Sequence, residues 1–110
     1  MTVSRIYDDR METIFSSSNP LIQRSSSYGL EIRRFLKHIP WNFKIQDDIK
    51  QLLRSSGSIG ANYLEAQEAV SRRDFLHRVR ICRKEANESQ HWLFLLRENI
   101  DEKFHAKLNQ

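Results

Sequence analysis

Apolar and small residues recur every three or four positions through three successive stretches of this chain, and that rhythm admits little other than packed helices. The first stretch carries Leu21, Ser25, Tyr28, Ile32, Phe35 and Ile39. The second carries Ile45, Ile49, Leu52, Ser56, Ile59, Tyr63, Ala66 and Val70. The third carries Phe75, Val79, Cys82, Ala86, Ser89, Leu93, Leu96 and Ile100. Every step within a stretch is three or four, so each series keeps one stripe facing inward. The spacing predicts one helix per stretch.

Local signals frame the stretches. Asn19 and Pro20 suit the cap and first position of a helix, and Pro40 with Trp41 and Asn42 is expected to end the first helix. Ser71, with Asp74 three residues on, has capping-box spacing for the third helix, expected over Arg72 to Glu98. Gly57 and Gly60 each cost about 1 kcal/mol in a helix. The register runs through them unchanged, so a single second helix is expected. Glu102 to Gln110 leave room for a short fourth, with Phe104 and Leu108 one turn apart. The expected fold is therefore all-α: an up-down antiparallel helical bundle of three long helices and a short or truncated fourth, over residues 19–110. Residues 1–18, without sustained period, are expected to form a loosely ordered arm.

With 110 residues the chain accommodates one core, and 3 glycines and 2 prolines are too few for a turn-rich β architecture. No apolar run reaches membrane-spanning length, and acidic residues interrupt the N-terminal region where a signal peptide needs an apolar one. The only cysteine, Cys82, rules out an intrachain disulfide and suits a reducing, cytoplasmic setting. A net charge of +4 permits a polyanionic partner without demanding one.

Two segments stand out. In the second helix Ser55, Ser56, Gly57, Ser58, Gly60 and Ala61 leave the surface nearly bare for two turns. A second face, Leu53, Gly57, Gly60 and Leu64, runs beside the main seam, so this helix can touch two neighbours. A close crossing within the monomer and a contact between subunits both fit; a phosphate loop does not, for want of a strand. Ser56, Gly57, Gly60, Ala61 and Asn62 are the packing candidates, with Glu85 on the third helix. Asn62 and Glu85 are polar groups on the bundle side and need partners, each other or an adjacent subunit.

The third helix opens with Arg72, Arg73, Arg78, Arg80, Arg83 and Lys84 against Asp74 alone. Arg73 and Arg80 share one outer column; His77, Lys84 and His91 share the next. Cations in the first turns oppose the helix dipole, so stability does not account for them. A solvated face is one reading. The other is a surface for phosphate backbones formed by Arg72, Arg73, His77, Arg80 and Lys84, sequence-independent because no aromatics interleave the cations.

Enzymatic chemistry is not expected. Glu88-x-x-His91 and Glu102-x-x-His105 resemble paired di-iron motifs, with Glu31 and Glu65 as nominal completing ligands. Glu88 and His91, however, fall outside the seam. Cys82 lies on the seam as a small core residue, and no nucleophile motif frames the serines. No cofactor or metal is anticipated.

Taken together, Arg54, Ser55, Ser58 to Asn62, Glu65 and Ala66, then Asp74, Phe75, Ile81, Lys84 to Ala86, Glu88, Trp92 and Leu93, resemble the motifs of a bacterial family. Its four-helix bundle proteins were first noticed as open reading frames in intervening sequences of 23S ribosomal RNA genes. The resemblance covers about the last 90 residues. It implies ring-like homopentamers with a central channel. It also brings in the related accessory proteins of diversity-generating retroelements, which bind nucleic acid and a reverse transcriptase through basic surfaces. The family's fourth helix is normally long, whereas Glu102 to Gln110 are few, and residues 1–18 have no counterpart. The resulting expectation is a non-enzymatic oligomeric scaffold that binds RNA or DNA non-specifically through its third helix. The alternative is a protein-interaction module serving a polymerase or reverse transcriptase, with no nucleic-acid binding of its own.

Overall fold

Asn19 opens the first helix: its backbone is extended, and its side-chain oxygen accepts a hydrogen bond from the Leu21 amide at 3.0 Å. Pro20 follows, where a missing N–H costs nothing. The computed structural model describes residues 19–100, and within them the chain forms three helices and no strand: α1, Pro20–Leu36; α2, Gln46–Gln67; and α3, Arg72–Glu98. The expected arm (1–18) and the short fourth helix (102–110) lie outside the described residues.

Helix α1 stops earlier than the periodicity suggests. It gives way after Leu36, and the His38 and Ile39 amides turn back to the Phe35 and Leu36 carbonyls at 3.0 and 3.2 Å. A proline disfavours helical backbone in the residue before it, so the chain unwinds ahead of Pro40. Ile39 stays buried, from the turn rather than the helix.

Helix α2 begins after Ile45, which is almost fully buried and offers no side-chain cap; Asp47 and Asp48 complement the positive end instead. It passes through Gly57 and Gly60 unbroken. The helix ends at Gln67, and Val70, expected on the seam, is 93% exposed in the connection. Ser71 then caps α3, accepting from the Asp74 amide at 3.1 Å. Phe75 lies at the rim of the packing rather than within it, 37% exposed.

Partner positions run in opposite directions along each pair. Asn19 meets Tyr63 while Arg33 meets Leu53; Arg78 meets Asn62 while Ser89 meets Ser55. Both α1 and α3 are therefore antiparallel to α2, the central helix, which each approaches more closely than the two approach one another. Packing is lopsided. Large apolar residues gather at one end, where Ile32, Ile39, Ile45, Leu52 and Leu96 form the core against Phe35, Ile49, Trp92 and Leu93. In the middle the buried positions are small: Gly29, Ser55, Ser56, Gly60 and Ser89. Small side chains bring the helix axes together, and that closeness sets the geometry of everything exposed on either side.

Candidate functional site

The small-residue run places Ser56, Gly57 and Gly60 in the crossing of α2 with α1. A β-carbon on Gly60 would lie 3.0 Å from Ser26 Oγ and 3.2 Å from Ser26 Cα, so backbone meets backbone there. The partner position on α1 is Gly29, whose β-carbon would approach the Ser56 carbonyl to 3.2 Å. Gly57 differs, since the nearest atom is the tip of Arg33. That guanidinium lies along the crossing and donates to the Gly29 carbonyl (3.0 Å), Ser56 Oγ (3.4 Å) and the Leu53 carbonyl (3.2 Å). Ala61 is exposed beside this contact. Gly29 and Arg33 were not singled out by periodicity; a lone glycine in an otherwise ordinary helix carries no pattern.

Serines join α2 to α3. Ser55 donates to the Gln51 carbonyl at 2.9 Å, and Ser89 lies 2.9 Å from Ser55 Oγ and 3.0 Å from the Glu85 carbonyl. Each hydroxyl satisfies itself partly within its own helix, which allows full burial without an orphaned donor.

Asn62 and Glu85 do not pair with each other. Asn62 lies a full helical turn nearer the Ser71 end and bonds Ser58, while its side-chain oxygen accepts from Arg78 at 3.2 Å. Glu85, 8% exposed, is held by Arg54 Nη1 at 3.1 and 3.3 Å. Arg54 Nη2 reaches Glu88 at 3.0 Å. Hydrogen bonding from Arg54 holds the Glu88 carboxyl below its ordinary value, helped by Glu85 and, more weakly, by the charges of Arg54 and Lys84. Arg54 was visible in sequence only as part of a family motif. Its signal is the Glu85/Glu88 pair, one turn apart on the opposing helix.

These bonds divide the basic stretch of α3. Arg78 turns inward to Asn62, and Arg83 borders a groove facing α1. Arg72, Arg73, His77, Arg80 and Lys84 are all exposed, and none forms a salt bridge or hydrogen bond among the described residues. Arg73 and Arg80 are two turns apart, about 10 Å along the axis. His77 also borders a depression with Glu65, Glu68 and Asp74, and the Lys84 charge reaches Glu88.

Among the described residues no group of three metal-ligating side chains comes together, and Glu88 is occupied by Arg54. Glu102 and His105 lie outside them. Cys82 is buried, its Sγ 3.4 Å from the Ile59 carbonyl, and burial pushes its thiol above the ordinary value. No described helix is long and apolar enough to cross a membrane.

A family model, described as 23S rRNA-intervening sequence protein, matches residues 18–109. Among solved structures, the chain is similar to a protein with unknown function from the S23 ribosomal protein family of Bacteroides thetaiotaomicron VPI-5482. The two share 36% identity at a TM-score of 0.65, over 81% of this chain and 84% of that one. No curated protein matches.

Proposed function

The chain belongs to the 23S rRNA-intervening sequence protein family, and from that premise we propose that it is a non-enzymatic, oligomeric scaffold of the cytoplasm. In this reading it binds RNA or DNA without sequence preference through the outer face of α3. The observation that carries the reading is the division of cations along that helix. Arg78 is used internally, whereas Arg72, Arg73, Arg80 and Lys84 project to solvent without a salt bridge among the described residues. A row of solvent-exposed cations on a helix binds a phosphate backbone by releasing its counterions, and needs no base contact. Each copy offers a modest site; several copies in one assembly multiply it.

The test titrates a fluorescent single-stranded RNA and a duplex DNA with the protein over a range of salt. Affinity falling steeply with salt, and lost in Arg73→Glu/Arg80→Glu, supports the reading; affinity indifferent to both removes it. Light scattering after size exclusion reports the assembly, and a monomer at working concentration removes the scaffold and its multiplied surface.

A further inference from the structure

Helix α3 presents Arg73, His77, Arg80 and Lys84 in steps of four, three and four, and all four are exposed. Such steps keep the side chains on one face, over about 16 Å of helix. Arginine and lysine carry charge across the whole neutral range, whereas an imidazole gains or loses its proton within it. His77 also belongs to a second surface. It borders a depression of about 350 Å³ whose acidic groups are Glu65 of α2, Glu68 of the connection and Asp74 of α3. None of these carboxylates has a salt-bridge partner among the described residues. Arg78, which also lines the depression, is turned to the Asn62 side-chain oxygen at 3.2 Å. At about 100° per residue, Asp74 falls on one side of His77, and Arg73 and Arg80 fall on the other. The imidazole therefore stands on the border between three acids and a row of cations. When it is neutral, the acids adjoin the row and repel a phosphate backbone laid along it. When it is protonated, it offsets part of that repulsion and completes the row.

We propose that His77 makes the outer face of α3 a pH-dependent polyanion site, a regulation that rests on the reading of this face as a nucleic-acid surface. Phosphate backbones bind more tightly when His77 carries a proton. By reciprocity, binding draws a proton onto His77. The direction follows from the charges that surround the imidazole. Carboxylates stay ionised down to about pH 5.5, and arginine and lysine stay charged up to about pH 8. Glu65, Glu68, Asp74, Arg73, Arg78 and Arg80 therefore hold their charges fixed while the imidazole changes its own. Acidification thus adds a positive charge to the row and removes none. His91 lies two turns beyond Lys84, edge-on to the Trp92 ring at 5.0 Å. It is common to every protein compared below, so its own titration cancels.

The probe is a fluorescent duplex DNA, titrated with the full chain over a range of salt at about pH 8 and about pH 5.5. Acidification should steepen the salt slope of the wild type by at least about one and tighten binding about fivefold at low salt. In His77→Gln that gain in slope should be smaller by about one. His77→Arg carries the charge at both pH values, so it should bind more tightly than the wild type at about pH 8 and lose the same share of the pH dependence. Calorimetry in two buffers of different protonation heat, between these pH values, should register proton uptake on binding that is reduced in His77→Gln. A pH gain in His77→Gln equal to that of the wild type overturns the proposal. So does His77→Arg binding no tighter than the wild type at about pH 8. Binding that weakens with salt but ignores pH overturns the proposal and leaves the nucleic-acid reading standing. Absence of binding at both pH values removes that reading as well.

Discussion

The Arg54 guanidinium crosses from α2 to hold the buried Glu85 carboxylate of α3 at 3.1 Å, and its second nitrogen takes Glu88 at 3.0 Å. One half-exposed cation thus serves one buried and one surface acid. Removing it strands Glu85 in the packing without a counter-charge. Arg54→Met is expected to destabilise the protein by about 2 kcal/mol in urea unfolding, the cost of leaving a mostly buried charge unpaired. Glu88→Gln, on the surface, is expected to cost less than Arg54→Met at neutral pH.

The same contact gives a pH dependence of known sign. Arg54 lowers the Glu88 carboxyl in the folded state below its ordinary 4.5. A lowered folded value stabilises the protein above the unfolded value and loses that effect as pH falls through the folded one. The difference in thermal midpoint between wild type and Glu88→Gln should therefore shrink as pH drops from neutrality to well below 4.5. A difference that widens on acidification contradicts the assignment.

Gly57 and Gly60 separate two roles that the sequence presents as one run. Gly60 faces backbone on α1, with Ser26 Cα at 3.2 Å and Ser25 C at 3.3 Å from an added β-carbon, so Gly60→Ala forces the helices apart. It is expected to cost about 1 kcal/mol net, even after the gain in helix propensity. Gly57 faces only the flexible tip of Arg33. Gly57→Ala should be neutral or stabilising by up to about 0.5 kcal/mol, because Arg33 can swing away. Equal losses at both positions in urea unfolding would argue against this crossing.

What was legible in the sequence follows from range. The caps at Asn19 and Ser71, the unbroken passage of α2 through its glycines and the limits of α3 are decided within a few residues, and periodicity finds them. The ends of α1 and α2 were not, because Ile39 is buried from a turn and Val70 only continues the rhythm past the helix. The partners of Asn62 and Glu85 depend on which residue of another helix lies at the same level. Arg78 and Arg54 take those places, and neither is apolar, so no hydrophobic pattern points to them. The groove bordered by α1, α2 and α3 is invisible in any one stretch, since it depends on how the three helices come together.

Cys82 offers a chemical check on the packing. It is buried, burial raises its thiol above the ordinary 9.0, and its Sγ lies 3.4 Å from the Ile59 carbonyl. Only the thiolate alkylates, so the native protein should react with iodoacetamide at least about tenfold slower than free cysteine near pH 8. Unfolding in urea should restore the ordinary rate. A fast native reaction would show that the α2–α3 contact opens readily at this level.

The basic face allows binding and stability to be separated by experiment. Arg72 and Arg73 sit in the first turn of α3, where positive charge opposes the helix dipole and is unfavourable by a few tenths of a kcal/mol per residue. Arg73→Glu should therefore leave the unfolding midpoint unchanged or raise it slightly, since the side chain is exposed and forms no salt bridge among the described residues. For nucleic acid the same substitution acts the other way. It removes one phosphate contact and adds a repulsion, so affinity should fall across all sequences alike and the salt slope should drop by about one. Lys84→Glu makes a sterner comparison, because Lys84 also helps hold the Glu88 carboxyl down and its reversal should raise it. Both variants measured by melting and by titration against RNA should show binding lost with folding intact. A parallel loss of stability would instead assign these cations to the fold.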